Sequence, residues 1–374
     1  MTPPLSLQDR LAFRNGNRLK LGLFGANCSS GRAVTMVDER WSAQWPDMLR
    51  LARMADEAGL EFLLPIGRWK GYGGDTDYQG STFETVNWAS ALLASTRRIG
   101  VFGTVHAPLI HPVIAAKEFV TADHVGEGRF GLNVVCGWNE GEFEMFGVKQ
   151  RDHEARYDYA QEWLDAVKAM WTRADEFDIN GRYLQLKGVR AWPKPYGGSR
   201  PMIMNAGASA VGQDFAIRNC DALFRAVKHS GLGEARSQVA EVRERARQAG
   251  RELSVYTIGV MTCRPTRAQA REYYEHCTLE QADWSAVDSI MALQQINPAD
   301  YSEEAFRKVR RDFANGLSGF TLIGDPDDVA NDLASLHEAG FAGVALSMVN
   351  YGLELPYFCD EVLPRLVRKG LRVS

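Results

Sequence analysis

The chain has 374 residues, 45% of them apolar and 24% charged, and its 43 basic and 47 acidic side chains leave a formal charge of −4. That balance argues against a nucleic-acid or anionic-membrane surface as the main partner. The length allows two domains or one large α/β barrel, and the apolar content supports a core that needs neither metal nor disulfides to fold.

The pattern along the chain is a short apolar run, a loop and an amphipathic helix, repeated. Leu19–Phe24 reads as a strand, followed by a polar loop over 27–31 and a helix with Met48, Leu51, Ala52 and Ala55 on one face. Gly59 ends that helix and Leu60–Leu64 is the next strand. After the glycine-rich Gly71–Gly74 loop, the Ser-x-x-Glu spacing of Ser81–Glu84 predicts a capping box before a helix carrying Val86, Ala89 and Leu93. Ile99–Val105 and Phe130–Cys136 read as buried strands with a helix over 115–124 between them. Ile99–Ala116 holds no Asp, Glu, Lys or Arg, but Gly100, Gly103, Pro108 and Pro112 break it into strand, loop and helix start, so it reads as core rather than as a membrane span.

Tyr159, Trp163, Val167 and Met170 mark a helix, and Asn180-Gly181 between strand formers predicts a hairpin. The alternation resumes with strands at Pro201–Asn205, Ala222–Val227 and Val255–Thr262. Thr266 is placed to cap a helix, and residues 277–318 look irregular. Gly319–Ile323 leads to Asp325-Pro326, an N-cap and N1 pair, and Gly343–Met348 is the last strand. Eight core strands, each but the last followed by a helix, predict parallel pairing and a closed (β/α)8 TIM barrel, with Gly319–Ile323 as a further strand candidate that leaves the count open. The chain is expected to form one domain over 1–374, with insertions near 172–200 (the hairpin) and 277–318 (a lid). The six scattered cysteines form no Cys-x-x-Cys pair, and residues 1–20 lack the apolar region of a signal peptide, so a reducing cytoplasm is expected.

In such a barrel, chemistry sits at the C-terminal ends of the strands. Asn133 stands inside an apolar run, where a buried amide must find partners, either a ligand or a neighbouring strand. Asn205–Gly212 follows a strand and opens a helix. Its small residues would let backbone N–H groups approach a phosphate, or would simply make a tight turn. His106 and His111 lack a carboxylate cluster, so no metal site is expected. Gly71–Gly74 lacks the remainder of a dinucleotide fingerprint.

The block Thr121–Trp138 resembles the signature of bacterial luciferase-like, flavin-dependent monooxygenases, in the two-component branch that contains pyrimidine and dimethylsulfone monooxygenases. Gly71–Gly74, Arg156-Tyr157, the Asn-Gly hairpin, Asn205–Gly212 and Leu322–Pro326 extend the likeness over most of residues 18–367. It implies FMN, used as FMNH2 with O2, at the barrel mouth. Gly67, Arg68, Asn133 and Glu142 would contact the flavin, and Arg156, Tyr157 and Ser209 its phosphate end. Thr104, Asn133 and Trp138, with Leu64, would form the oxygen pocket. There the family's N5-linked flavin peroxide would take hydrogen bonds from Thr104 and Asn133, with Trp138 and Leu64 as walls.

The resemblance also implies a separate NAD(P)H:flavin reductase as partner and a homodimer or homotetramer. Asn27, Arg32, His106 and His229 are candidate substrate contacts on the rim. A small heterocyclic amide or related nitrogen compound is the first substrate expectation, and a sulfone or sulfonate C–S bond the alternative. Readings from other classes are a non-catalytic flavin-binding protein, which would not need Thr104 or Trp138, and a metal- or Schiff-base-dependent barrel lyase or hydrolase. The latter would need converging carboxylates and histidines or a strand-end lysine.

Overall fold

A computed structural model describes residues 4–227, 231–316 and 319–373. Its strands are β1 (Lys20–Phe24), β2 (Phe62–Leu64), β3 (Gly100–His106), β4 (Phe130–Val135), β5 (Phe177–Asn180), β6 (Gln185–Val189), β7 (Met202–Asn205), β8 (Ala222–Phe224), β9 (Ser254–Cys263), β10 (Phe320–Gly324) and β11 (Gly343–Ser347). Nine of them join one sheet in the order β10-β9-β11-β1-β2-β3-β4-β7-β8, and a further β8–β9 pairing closes eight of these into a ring. This is a (β/α)8 barrel, built from the eight strands that the apolar runs indicate. The ninth, β10, pairs in parallel with β9 from Phe320↔Gly259 to Gly324↔Cys263 and stands outside the ring. Among the described residues, no helix is long and apolar enough to cross a membrane.

By internal contacts the chain divides into two units, Met1–Asn15, Glu84–Phe224 and Val242–Ser254 in one, and Gly16–Phe83, Arg225–Glu241 and Val255–Ser374 in the other. In the first, β3 and β4 run in parallel register, with Phe102 opposite Gly131 and Thr104 opposite Asn133. Side chains alternate along a strand, so Phe102, Thr104 and His106 share one face, and Phe130, Leu132 and Val134 of β4 take the other. On that second face Phe130 stacks on Phe119 of the helix Pro112–Val125, with centroids 5.8 Å apart. The helix Thr85–Ser95 is capped by Glu84, whose carboxylate accepts from the N–H groups of Val86 and Asn87. The expected box with Ser81 does not form, because the helix starts one turn later and Ser81 bonds Ser29 instead.

β5 and β6 form the expected antiparallel hairpin, but Asn180 pairs with Gln185 and the connection is the four residues 181–184 rather than a two-residue Asn-Gly turn. The Glu162 carboxylate accepts from the N–H groups of Tyr183 and Leu184, which supplies the extra fixing a longer loop needs.

In the second unit, Phe62 packs edge-on against Tyr256 at 5.6 Å, and Thr266 and Asp325 cap their helices as expected. Two expectations are corrected here. The last strand is followed by helices, Tyr351–Tyr357 and Leu363–Arg368. The segment expected to be irregular holds two helices, Trp284–Leu293 and Glu303–Ala314. Val287, Ile290 and Met291 on the first, with Phe306, Val309 and Phe313 on the second, pack into a cluster with Val34, Tyr72 and Tyr78.

Candidate active site

Parallel register brings Thr104 and Asn133 together near the C-terminal ends of β3 and β4. Both are buried, and Asn133 Nδ2 donates to Thr104 Oγ1 at 3.2 Å. That bond turns the Thr104 O–H away from Asn133. Asn133 Oδ1 is buried and has no hydrogen-bond partner among the described residues. Leaving such an acceptor unmet costs about 1–3 kcal/mol, and a ligand that presents an N–H or O–H would recover it.

Past β4 the chain turns at Gly137 with φ +75°, where a Cβ would lie 2.5 Å from the Phe143 ring and 3.1 Å from His106. Only glycine fits. His106 Nε2 lies 3.9 Å from Glu142 Oε2, both side chains buried. Arg156, on the helix His153–Thr172, donates to the Gly137 carbonyl, and its buried Nε has no partner. Burial pushes the Cys136 thiol up to about 12 even beside Arg156, so it stays protonated.

The loop after β7 is tied down by Asn205, which donates to Val134 O (2.7 Å) and accepts from Gly207 N (2.8 Å). Ser209 caps the helix Ala210–Asn219 and accepts from Gly212 N. Tyr157 hydrogen-bonds Ser209, and burial raises its phenol to about 12. A Cβ on Gly207 would lie 2.7 Å from both the Tyr157 hydroxyl and Gly212 Cα, and one on Gly212 would lie 2.5 Å from that hydroxyl. The two glycines, Ser209 and Tyr157 therefore make a close-fitting turn at the N-terminus of a ten-residue helix. Trp138 lies in the same unit and is 43% exposed.

In the other unit, Leu64 ends β2 in full burial, and Gly67 and Arg68 follow half-buried. The Arg68 guanidinium lies 4.5 Å from the centroid of the Tyr72 ring. Asn27 and Arg32, expected on the substrate side, are both engaged in hydrogen bonds. Asn27 bonds both backbone groups of Ile66 and the carbonyl of Phe83. Arg32 is buried, and its guanidinium bonds Met261 O, Thr262 Oγ1 and Asn315. His229 lies outside the described residues. Tyr72 and the mutual fit of Gly207 and Gly212 escape sequence reading, since only the spacing Arg68-x-x-x-Tyr72 and the Gly-rich composition hint at them.

The luciferase-like monooxygenase family model matches residues 19–343. The chain belongs to this family. It is 28% identical over 357 residues to the FMNH2-dependent dimethylsulfone monooxygenase of Pseudomonas putida, covering 94% of this chain and 96% of that one. It is 29% identical over 318 residues to the pyrimidine monooxygenase RutA of Variovorax paradoxus, covering 83% and 84%. The fold is shared with DmoA from Hyphomicrobium sulfonivorans (TM-score 0.84, 19% identity, 96% and 90% covered) and with a riboflavin lyase solved with modified FMN (TM-score 0.84, 22% identity, 96% and 93% covered).

Proposed function

We propose that this chain, a flavin-dependent monooxygenase using FMNH2 and O2, inserts oxygen into a small heterocyclic amide or related nitrogen compound. The observation that carries the reading is the buried Thr104–Asn133 pair with its unmet Asn133 Oδ1. Its donors and acceptor suit the ring N–H of a reduced flavin beside a reacting oxygen. The Gly207–Gly212 turn with Tyr157 and Ser209 suits the FMN phosphate, and Arg156 stands beside it in sequence. Leu64, Gly67 and Arg68 join the proposed site on the strength of the family resemblance, as do Glu142 and Trp138.

When bound, reduced FMN supplies the electrons that activate O2; the protein positions and shields. Thr104 presents its O–H and Asn133 its amide to the reacting oxygen, as preorganised donors that cost no reorganisation during reaction. The family resemblance gives Leu64 and Trp138 the role of excluding water. The protonated Tyr157 phenol holds Ser209 in place at the phosphate turn. His106, beside Glu142, is the substrate-side group we favour for a carbonyl-bearing ring. A second reading, a sulfone substrate, is supported by the 94% coverage of this chain in the alignment with the P. putida enzyme.

A separate NAD(P)H:flavin reductase feeds the enzyme, which assembles as a homodimer or homotetramer. The test is turnover of uracil-like heterocycles and dialkyl sulfones with FMN and NAD(P)H, with and without an added reductase. We expect product from the heterocycles in the reductase-containing mixtures. Product from sulfones alone would replace the first reading by the second, and product without reductase would overturn the two-component reading.

A further inference from the structure

Beyond β2, a series of stacked side chains ends on Arg68. The Arg68 guanidinium sits 4.5 Å over the Tyr72 ring, and Tyr72 stacks on Tyr78 with centroids 6.0 Å apart and planes at 27°. The two tyrosines belong to one closed turn, with Tyr72 N–H donating to Tyr78 O (3.0 Å) and Tyr78 N–H to Gly73 O (3.2 Å). The Tyr78 hydroxyl donates to Arg32 O at 3.0 Å. Both rings are buried against Ala286, Val287, Ile290 and Met291. The loop is also latched to the same helix, because Asp283, its N-cap, accepts from Thr76 N and Thr76 Oγ1 at 2.8 Å each.

We propose that Tyr72 is a positioning residue for Arg68, and that the helices Trp284–Leu293 and Glu303–Ala314 buttress this aromatic shelf rather than acting as a lid. A guanidinium over an aromatic face is attracted by the ring quadrupole, more strongly where water is excluded. Arg68 carries a rigid planar fork, so holding it against a fixed ring reduces the freedom it would lose on meeting an anionic or carbonyl group of a ligand. Tyr72 cannot tilt away without disturbing Tyr78 and the helix beneath it. The inference rests on Arg68 contacting FMN, as proposed above.

The experiment titrates the whole protein with FMN by fluorescence quenching and measures KM for FMNH2 with a reductase present. Arg68→Met is measured first, and unchanged FMN affinity there sinks the cofactor role of Arg68 and the shelf with it. If Arg68→Met weakens binding, Tyr72→Leu is expected to weaken it about 3- to 30-fold, and Tyr72→Phe, which keeps the ring face, to restore it. The double variant should be little worse than Arg68→Met alone, because the two residues act as one unit. Fluorinated phenylalanines at position 72 keep the shape while draining charge from the ring, so they test the shelf even if Tyr72→Leu does not fold. Affinity falling with each added fluorine supports the proposal. A flat series, or additive effects in the double variant, overturns it.

Discussion

Thr104→Val removes one hydroxyl at almost constant volume. In the structure it deletes the acceptor of the 3.2 Å bond from Asn133 Nδ2, so a side chain whose Oδ1 already lacks a partner loses a second bond. An unmet buried donor costs about 1–3 kcal/mol. At about 2.1 cal/mol/K per residue of unfolding entropy, that lowers Tm by roughly 1–4 °C. The effect on chemistry should be larger, because losing a preorganised donor to developing negative charge costs about 100- to 1,000-fold in rate. The assay follows product, O2 consumption and hydrogen peroxide with FMNH2 supplied by a reductase, beside FMN binding by fluorescence. The expected pattern is a fall in product of about 100-fold, oxygen diverted to hydrogen peroxide, and nearly unchanged FMN affinity. Unchanged turnover would refute the role given to Thr104. A loss of FMN affinity matching the loss of turnover would make Thr104 a binding residue instead.

Gly207→Ala puts a Cβ 2.7 Å from the Tyr157 hydroxyl, whereas Gly233→Ala meets nothing within 4 Å. If the overpacking cost of about 1–3 kcal/mol falls on the bound state, the first should weaken FMN binding about 5- to 150-fold, and the second should not; equal effects would remove the phosphate-turn reading. Asn27→Ala breaks three hydrogen bonds to Ile66 and Phe83 and should destabilise by about 2–5 kcal/mol with substrate KM retained. A raised KM at unchanged Tm would return Asn27 to the substrate side. Burial raises the Cys136, Cys220 and Cys263 thiols from 9.0, and the Tyr157 phenol from 10.0, each to about 12. These groups stay protonated in the fold after they ionise in the unfolded chain, so their stabilising contribution is whole below pH 9 and is lost between about 9 and 12. The urea midpoint should fall across the accessible part of that window, and a flat profile from pH 8 to 11 would contradict this.

The barrel was legible because buried parallel strands read as continuous apolar runs, and Phe130–Cys136 shows it well. The Thr104–Asn133 pair could be nominated but not joined, since register is set by the pairing of β3 with β4 rather than by either segment alone. The helices within 277–318 were not legible because the helical spacing of Val287, Ile290 and Met291 is interrupted by polar residues, and what they pack against shows only with Tyr72 and Tyr78 in place. Ser81 failed as a cap for a local reason. Glu84 can cap the helix itself, and Ser81 is engaged with Ser29. For Arg32 and Asn27 the sequence shows charge and polarity but not the carbonyls to which they donate.

The central claim is tested most directly by mixing the enzyme, loaded anaerobically with FMNH2, against buffer containing 18O2 and a heterocyclic amide, with mass analysis of the product. The account predicts that FMNH2 binds and that one 18O atom enters the product in a substrate-dependent step. Failure to bind FMNH2, or hydrogen peroxide as the sole product of oxygen with every heterocycle and sulfone, would contradict it, the first at the cofactor site and the second at the substrate.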